Sequence, residues 1–321
     1  MNARLVTVFG GSGFLGRHLT QVLAKRGWRV RAAVRRPDLA GHLQPLGAVG
    51  QIHAVQANLR YPESVARAVE GADAVVNLVG ILHEGGRQTF SAVQAQGPRV
   101  VAEAAQKAGV ASVVQMSAIG ADAASLSDYA RSKAAGEAAV LAAFGQAVIL
   151  RPSIVFGPED QFFNRFANLA RFMPFLPLIG GGETKFQPVY VGDVAEATAR
   201  VLDGKAKAGA TYELGGPEVK TFKALLEYIL VTTGRSRPLV PLPFAIARLQ
   251  ASVMELLPSP MLTVDQVHLL ETDNVVSPSA IAEKRTLAGL GISPATIESV
   301  VPGYLYSFRK HGQFERVELS R

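Results

Sequence analysis

The sequence predicts an α/β protein in which a doubly wound parallel sheet is joined to a smaller, discontinuous C-terminal region. Two observations carry this prediction. Through roughly the first half of the 321 residues, short β-branched runs alternate with alanine-rich segments of helical period. A glycine-rich turn, GGSGFLG, directly follows the first of these runs. Strands that alternate with helices indicate βαβ units, whose right-handed crossovers place helices on both faces of a parallel sheet.

Six β-branched runs are the predicted strands, at residues 5–9, 28–34, 52–57, 74–79, 112–116 and 148–150. After Arg151, prolines and phenylalanines become frequent and the alternation stops. It resumes with a predicted strand over residues 186–191 and a predicted helix over residues 193–202, which Asp193 would cap. We therefore assign residues 1–151 and 185–210 to the sheet domain, and residues 152–184 and 211–321 to a smaller substrate or docking region.

The composition excludes several classes of protein. The chain has no run of about 20 apolar residues and no signal-peptide pattern, so we expect a cytoplasmic protein, with a peripheral position at the inner face of the cell membrane as the alternative. The net charge of +7 comes from scattered basic residues, so no nucleic-acid partner is expected. Cysteine is absent, and His53, His83 and His268 lie in separate segments without ligand spacing, so no metal site is expected.

The glycine-rich turn matches the spacing of dinucleotide-binding turns. It satisfies both G-x-G-x-x-G and G-x-x-G-x-x-G, after an apolar strand and before a helical stripe. Glycines allow a sharp turn, a close approach of the backbone to a pyrophosphate and tight packing of the following helix. The sequence therefore predicts a Rossmann domain, with the pyrophosphate at a helix N-terminus. The candidate contacts here are Gly10, Gly11, Gly13, Phe14, Leu15 and Gly16.

The end of the second strand favours NADP(H) as the cofactor. An acidic residue in this region would bind the ribose hydroxyl of NAD, but the strand is followed by Arg35 and Arg36. Two guanidinium groups suit a 2′-phosphate. NAD(H) stays the alternative, with Asp38 on the ribose. Further cofactor contacts are expected at Asn58 and Leu59, as adenine neighbours, and at Val79 and Pro152.

A tyrosine and a lysine are expected to share one face of a helix. Tyr129 and Lys133 are four positions apart in an alanine-rich helical segment. An ammonium group beside a phenol favours the phenolate, so the pair can act as an acid or base nearer neutral pH. Ser117 follows the strand at residues 112–116, whose C-terminal end faces the same crevice. Its hydroxyl could donate a hydrogen bond to a substrate carbonyl.

These three residues resemble the catalytic set of the short-chain dehydrogenase/reductase superfamily, in its extended, epimerase-like branch. The runs RPSIVFGPED and QPVYVGDVAEA resemble later segments of that branch. The resemblance implies that Tyr129 does general acid/base work, that Lys133 binds the ribose and controls the tyrosine, and that Ser117 polarises the substrate. Ser117 and Tyr129 are separated by only 12 positions, which is short beside the sugar epimerases of the branch. A nucleotide-sugar substrate is therefore not favoured.

The chain also resembles, over nearly its whole length, the family of the nucleotide-binding accessory subunit of respiratory complex I, alpha subcomplex subunit nine. The runs LVTVFGGSGFLGRHLTQVLAKRG, MSAIGADAASLSDYARSKAAGEAAV and LTVDQVHLLETDNVV carry this likeness. It implies an NADPH that is held as a structural element, and complex I as a partner. The alternatives are an active NADP(H)-dependent reductase or epimerase/dehydratase on an apolar, quinone-like carbonyl compound, and a nucleotide-sensing regulator.

Two apolar stripes in the second region must pack against something. For both, packing within the protein's own core is the first expectation, and an apolar small-molecule pocket, a membrane surface or a partner protein is the alternative. The first stripe comprises Phe162, Phe166, Leu169, Met173 and Leu176. The second comprises Ala245, Leu249, Val253 and Leu256.

Overall fold

The computed structural model describes residues 4–257 and 260–310 of the chain. The chain divides into two compact units, each built from three segments. The first unit comprises Met1–Pro152, Val191–Leu214 and Val276–Ser293. The second comprises Ser153–Tyr190, Gly215–Val275 and Pro294–Arg321. The first unit thus includes the stretches Thr211–Leu214 and Val276–Ser293, which the sequence pattern assigns to the smaller region.

The strands follow the predicted runs closely in the first half of the chain. They are β1 (Leu5–Phe9), β2 (Arg29–Val34), β3 (Ile52–Gln56), β4 (Ala74–Asn77), β5 (Ser112–Met116), β6 (Val148–Pro152), β7 (Val155–Phe156), β8 (Leu176–Ile179), β9 (Lys185–Phe186), β10 (Val189–Tyr190), β11 (Thr211–Leu214), β12 (Lys220–Thr221) and β13 (Leu239–Leu242).

Seven of these strands, all within the described residues, form one parallel sheet in the order β11-β6-β5-β4-β1-β2-β3. The predicted doubly wound parallel sheet is confirmed. The chain runs outward in one direction from β1 through β2 and β3, and in the other from β4 onward, so the strand order reverses between β1 and β4. In such sheets a crevice opens at this point, beyond the C-terminal ends of the strands.

The helices cover the sheet and build the second unit. They are α1 (Phe14–Lys25), α2 (Pro62–Val69), α3 (Gly97–Lys107), α4 (Asp128–Ala143), α5 (Phe163–Phe172), α6 (Val191–Leu202), α7 (Phe222–Thr232), α8 (Phe244–Met254), α9 (Val264–Leu269), α10 (Pro278–Ala282), α11 (Ile297–Val300) and α12 (Pro302–Leu305). None of them, within the described ranges, is long and apolar enough to cross a membrane.

The central strands are buried on both faces, which explains why they read as continuous apolar runs. All four residues of β4 are buried, as are the last four of β1 and of β5. On one side of the sheet a core forms from Phe9, Val75 and Ile149, with Val101 of α3 and Val140 of α4. This burial fixes the register of the strands, because a slip by one residue would turn each side chain to the opposite face.

The segment from β9 to the start of α6 corrects two predictions. The predicted strand at residues 186–191 is instead two short strands of the second unit: β9 pairs with β12, and β10 pairs with β7. The intervening Pro188 has no N–H to give to a ladder, which breaks the run. Helix α6 already begins at Val191, so Asp193 lies in its first turn and is not the residue before it.

A second core fills the other unit. Phe156, Phe163 and Phe222 are buried, with Leu225 and Ile229 of α7. Helix α5 turns Phe163, Ala167 and Ala170 fully inward. Phe162 and Phe166, from the first predicted stripe, pack against the same core from its margin. This stripe therefore contributes to the packing of its own unit.

Helix α8 contradicts the expectation that its apolar stripe lies in a core. The residues that it buries are Ala247 and Ala251. Leu249, Val253 and Leu256 are exposed at 69%, 63% and 84% of their surface. The helix packs through its small residues because alanine permits close approach, and the large side chains of the predicted stripe face outward.

Candidate functional site

The glycine turn lies between β1 and α1. Gly10 has a φ of 79°, which favours glycine, and its N–H donates to the carbonyl oxygen of Ala33 in β2 at 3.0 Å. The N–H of Gly13 donates to the carbonyl oxygen of Gly10 at 3.0 Å. Gly13 is the N-cap of α1, and no side chain among the described residues caps that first turn. The N-terminal backbone of α1 is therefore presented directly beyond β1.

The glycines of the turn have different spatial roles. A Cβ atom on Gly16 would lie 2.3 Å from the carbonyl oxygen of Gly10, and one on Gly11 would lie 2.9 Å from Cβ of Ala32. Gly13 is exposed, and a Cβ atom on it would lie 3.3 Å from the oxygen of Gly10. Gly11 and Gly16 thus permit packing, whereas Gly13 leaves backbone open. This arrangement fits the pyrophosphate of a dinucleotide.

Two predicted contacts of α1 border this turn. Phe14, the first residue of the helix, is partly buried and lies edge-on to His18 at 5.9 Å between ring centroids. Leu15 is also partly buried. Val79, which follows β4, lies against the turn, since a Cβ atom on Gly10 would lie 3.4 Å from Cγ2 of Val79.

The arginines after β2 are both exposed and both engaged by neighbouring side chains. The guanidinium of Arg36 donates to the carboxylate of Asp38, with 2.7 Å between Nη2 and Oδ2. This hydrogen bond raises the pKa of Arg36 and lowers the pKa of Asp38. Nη1 of Arg35 instead donates to Oε1 of Gln88 at 2.6 Å. One arginine is therefore paired with an anion and the other with a neutral amide.

Three further predicted contacts lie at strand ends. Oδ1 of Asn58 accepts from the N–H of Arg60 at 3.1 Å, which shapes the turn after β3. The side chain of Leu59 is buried in the core. Pro152 ends β6 and pairs with Leu214 of β11. The binding roles of these residues stay predictions.

Helix α4 presents Tyr129 and Lys133 on one face. Oγ of Ser127 caps this helix by accepting from the N–H of Ala130 at 3.1 Å. Nζ of Lys133 lies 5.7 Å from the centroid of the Tyr129 ring. The ring of Phe90 packs edge-on against Tyr129, with 6.0 Å between centroids. The predicted neighbourhood of tyrosine and lysine is thus present in the structure.

The ammonium group of Lys133 is held in a poorly solvated position. Only 7% of the residue is exposed, and Nζ lies 3.5 Å from the carbonyl oxygen of Met116, at the end of β5. Burial lowers the pKa of Lys133 from its ordinary 10.5 to about 8, although the charge of Glu137 acts in the opposite direction. Lys133 therefore connects α4 to the strand end that precedes Ser117.

Two polar atoms beside this lysine are buried without a hydrogen-bond partner among the described residues. They are Oγ of Ser117 and Oε1 of Gln94. A buried polar group left unpaired costs about 1–3 kcal/mol. Such groups in a crevice indicate a place where a ligand or water completes the hydrogen bonding. The sequence predicts Ser117 as a residue of this site, whereas Gln94 is a residue that the sequence pattern does not predict.

Sequence reasoning missed Gln94, which lies in the π-helical turn Ser91–Gln96 before α3. Its Nε2 donates to Oγ of Ser132 at 3.4 Å. Pro98 has no N–H to give to the carbonyl of Gln94, and Gly136 of α4 approaches that oxygen so closely that a Cβ atom would lie 2.0 Å from it. Turns of this kind are frequent at functional sites. The only signal in the sequence was the pair Gly97 and Pro98.

An ion pair between Arg151 and Glu137, which the sequence pattern does not predict, joins α4 to the sheet. The guanidinium of Arg151, in β6, donates to both carboxylate oxygens of Glu137 at 2.9 and 2.6 Å. The hydrogen bond to Glu137 raises the pKa of Arg151. Because Glu137 lies one turn after Lys133, this bidentate contact holds the part of α4 that carries the lysine.

No group of three or more His, Cys, Asp or Glu side chains among residues 4–257 and 260–310 could hold a metal ion. The chemistry available in the first unit is therefore that of open helix backbone, arginines, a phenol, a buried ammonium and unpaired buried hydroxyl and amide groups.

The chain is similar to several known proteins. A model of the NAD dependent epimerase/dehydratase family matches residues 6–215. The chain is 37% identical over 322 aligned residues to NADH dehydrogenase [ubiquinone] 1 alpha subcomplex subunit 9 of Arabidopsis thaliana, a match that covers 96% of this chain and 79% of that protein. It is 36% identical to the ceramide reductase of Caulobacter vibrioides over 60% of this chain and 58% of that enzyme.

Among solved structures, the dTDP-glucose 4,6-dehydratase DesIV from Streptomyces venezuelae, with NAD and TYD bound, has a similar fold. Its TM-score is 0.71 at 20% sequence identity, and the match covers 94% of this chain and 95% of that one. At this identity the likeness concerns the fold alone, and it extends through both units of the chain.

Proposed function

This chain belongs to the NAD dependent epimerase/dehydratase family, and on that premise we propose that it is an NADP(H)-binding protein of the complex I accessory-subunit type. Pyridine-nucleotide binding is the property of the family. The preference for NADP(H) and the association with complex I are the parts that we infer for this chain.

The observation that carries the proposal is the glycine turn with its two following arginines. Gly13 exposes backbone at the N-terminus of α1, which suits a pyrophosphate, and β2, which pairs with β1, is followed by Arg35 and Arg36. An NAD-type site would need a free carboxylate for the ribose hydroxyls. The nearest such group after β2, Asp38, already accepts from Arg36. The charges present therefore favour a 2′-phosphate.

The partner part of the proposal rests on the extent of the likeness to the Arabidopsis subunit. That likeness covers 96% of this chain and so includes the second unit, not only the nucleotide-binding sheet. The second unit also carries the exposed apolar side chains of α8. A contiguous set of such side chains on a soluble domain is typical of an interaction surface.

The cofactor is tested by direct titration of the purified full chain with NADPH and NADH. We expect tighter binding of NADPH, and a melting temperature that rises with its concentration, since a ligand of the folded state at about 100 times its Kd adds roughly 2.7 kcal/mol to stability. Binding of neither nucleotide would overturn the proposal. Tighter binding of NADH would overturn only the cofactor preference.

The partner is tested in native membranes. A tagged chain, expressed from its own locus, is solubilised and separated on a native gel with in-gel staining for NADH dehydrogenase activity. We expect the tag to migrate with complex I. Migration of the whole pool as a free protein, under conditions that keep complex I intact, would contradict the accessory-subunit role.

A second candidate function, a carbonyl reductase on an apolar substrate, is favoured by a specific observation: the three residues of the acid/base set are all present. Lys133 lies beside the ring of Tyr129, and Oγ of Ser117 is buried with no partner among the described residues. The relative from Caulobacter is called a ceramide reductase, so a lipid-like carbonyl compound is the substrate class to examine.

In such a reaction the bound reduced nucleotide supplies the hydride. Tyr129 would donate the proton to the carbonyl oxygen, so that the hydride and the proton together give the alcohol. Oγ of Ser117 would donate a hydrogen bond to the same oxygen and hold the carbonyl in place. The ammonium of Lys133 would favour the phenolate that Tyr129 becomes, and its proton would stay on Nζ.

The reductase is tested with the wild-type chain, Tyr129→Phe and Ser117→Ala on quinones, long-chain ketones and ketosphingoid lipids, with NADPH oxidation as the readout. If the chain is a reductase, Tyr129→Phe loses at least about a hundredfold in kcat. Nucleotide affinity should be kept in both variants. Equal and negligible rates for all three proteins would contradict the reductase role and would leave nucleotide binding as the proposed function.

A further inference from the structure

The loop after β4 forms a hairpin that its own hydrogen bonds close. The N–H of each of Gly85 and Gln88 donates to the carbonyl oxygen of the other at 3.0 Å, and Gly86 has a φ of 57°. Oε1 of Glu84 accepts from the N–H of Phe90 at 2.5 Å. The loop is therefore closed by its own hydrogen bonds, and its base is joined to the turn that carries Gln94. We call the residues 85–88 the β4 hairpin.

The β4 hairpin contacts the ends of two other strands. Oε1 of Gln88 accepts from Nη1 of Arg35, which follows β2, at 2.6 Å. The carbonyl oxygen of Arg87 accepts from Nη1 of Arg60, which follows β3, at 3.4 Å. These strands are neighbours in the sheet. The hairpin thus contacts residues just beyond the C-terminal ends of β2 and β3. The adenosine end of a dinucleotide is expected at this edge of the sheet.

The two arginines after β2 differ in the charge of their partners. Asp38 holds Arg36 through an ion pair, so the net charge of that pair is close to zero. Gln88 holds Arg35 through a neutral amide oxygen, so the positive charge of Arg35 is undiminished. A guanidinium has five N–H donors. With one N–H on Gln88, Arg35 retains the others for an anion.

Holding an arginine in place has an energetic effect. A free arginine side chain samples many rotamers, and a ligand that binds it must overcome the entropy lost when one rotamer is fixed. A residue that orients the guanidinium beforehand removes part of that cost from the binding step. An amide does so without cancelling the charge, whereas a carboxylate in the same place would repel a phosphate.

We propose that Gln88 is a positioning residue that orients Arg35 for the 2′-phosphate of NADP(H), and that Arg35, not Arg36, is the cation that determines nucleotide specificity. This inference rests on the proposed preference for NADP(H). It assigns the specificity to a contact between the β4 hairpin and the end of β2.

The test is a double-mutant cycle on the full chain, with NADPH and NADH titrated separately. Arg35→Ala weakens NADPH binding by about tenfold or more and leaves NADH binding unchanged, while Arg36→Ala/Asp38→Ala, which removes the whole ion pair, weakens NADPH binding by less than Arg35→Ala does. Gln88→Ala weakens NADPH binding by about three- to tenfold. In the Arg35→Ala background the Gln88→Ala change adds nothing, because Gln88 acts through Arg35. Gln88→Glu weakens NADPH binding more than Gln88→Ala does.

A matched control is His83→Ala, which alters an exposed residue of the same loop and is expected to change neither affinity. Melting temperatures of all variants report on folding.

Equal losses for NADPH and NADH in Gln88→Ala, or a Gln88→Ala effect that persists without Arg35, would overturn the positioning role. A larger loss of NADPH affinity in Arg36→Ala/Asp38→Ala than in Arg35→Ala would overturn the assignment of the cation. If the wild-type chain binds NADH as tightly as NADPH, the cofactor preference fails, and this proposal fails with it.

Discussion

The ammonium group of Lys133 lies 5.7 Å from the centroid of the Tyr129 ring, in a position from which water is largely excluded. The residue lies one helical turn after the tyrosine and reaches the carbonyl oxygen at the end of β5. Burial of this charge is unfavourable for the folded protein, because an ammonium loses its hydration there. The position of Lys133 therefore opposes stability and has consequences that can be measured.

Replacement of the buried lysine by an apolar side chain of similar length should stabilise the protein. We expect Lys133→Met to raise the free energy of unfolding at pH 7 by about 2–3 kcal/mol, because the lowered pKa reports that the charged form is disfavoured in the folded state. Urea unfolding measures the change. Lys107→Met, at an exposed lysine in the last turn of α3, is the control and should change stability by less than about 0.5 kcal/mol. A Lys133→Met variant less stable than the wild type would contradict this account.

The stability gain of Lys133→Met should depend on pH. The pKa of Lys133 is about 8 in the folded chain against an ordinary 10.5, so between these values the unfolded chain binds more protons and wild-type stability rises with pH. Below about pH 8 both states are charged and the cost of burial is fully present. We expect the difference between variant and wild type to shrink from pH 8 to pH 10, as followed by urea unfolding at each pH. A constant difference would contradict the lowered pKa.

The glycine turn offers a matched pair of substitutions. Gly16→Ala should destabilise the protein by about 3 kcal/mol or more, because its Cβ would lie 2.3 Å from a backbone oxygen that cannot move away. Gly13→Ala should cost about 1 kcal/mol or less, since φ of −77° suits alanine. It should nevertheless weaken nucleotide binding by at least about tenfold, because the methyl group covers the open backbone. Thermal unfolding and nucleotide titration measure the two effects. A Gly13→Ala chain with normal affinity would show that the nucleotide does not approach this backbone.

Because the large side chains of α8 are exposed, we expect that one of them can be replaced without loss of stability. Leu249→Gln should change the free energy of unfolding by less than about 0.5 kcal/mol, because 69% of Leu249 is exposed. It should also shorten retention on a hydrophobic column. Leu225→Gln, at a fully buried leucine of α7, serves as the contrast and should destabilise by about 3 kcal/mol or more. A large loss of stability in Leu249→Gln would show that this face packs within the protein.

Most of the sheet could be predicted because its signals are local. Buried parallel strands form apolar runs, and the glycine turn is contiguous in the sequence. The strand β11 could not be found in this way, since its run TYEL contains Glu213. That carboxylate is buried only because Ser277, distant in sequence, donates its N–H at 2.7 Å, and because Arg151 lies nearby. Partners of this kind are set by tertiary structure, which a local pattern does not contain.

The candidate site likewise combines contacts that the local sequence predicts with contacts that only the tertiary structure determines. Tyr129 and Lys133 share a face by helical spacing alone, so the sequence predicts their neighbourhood. Gln88 and Arg35 are 53 positions apart, and Gln94 reaches Ser132 across two helical elements. On α8, periodicity finds a stripe but not which side of the helix is buried. That choice depends on the close approach that Ala247 and Ala251 allow.

The stretch Val276–Ser293 has a consequence for how the chain is held together. It returns to the first unit after Gly215–Val275: Arg285 donates to the carbonyl oxygen of Thr211, and Ala280 packs with Ile119. The family model ends at residue 215, before this return. Gly215–Val275 is therefore an insertion whose two ends are both anchored in the first unit. A single proteolytic cleavage within it would leave two fragments that are still held together, because each contributes a segment to the first unit. Release of that insertion would need two cleavages.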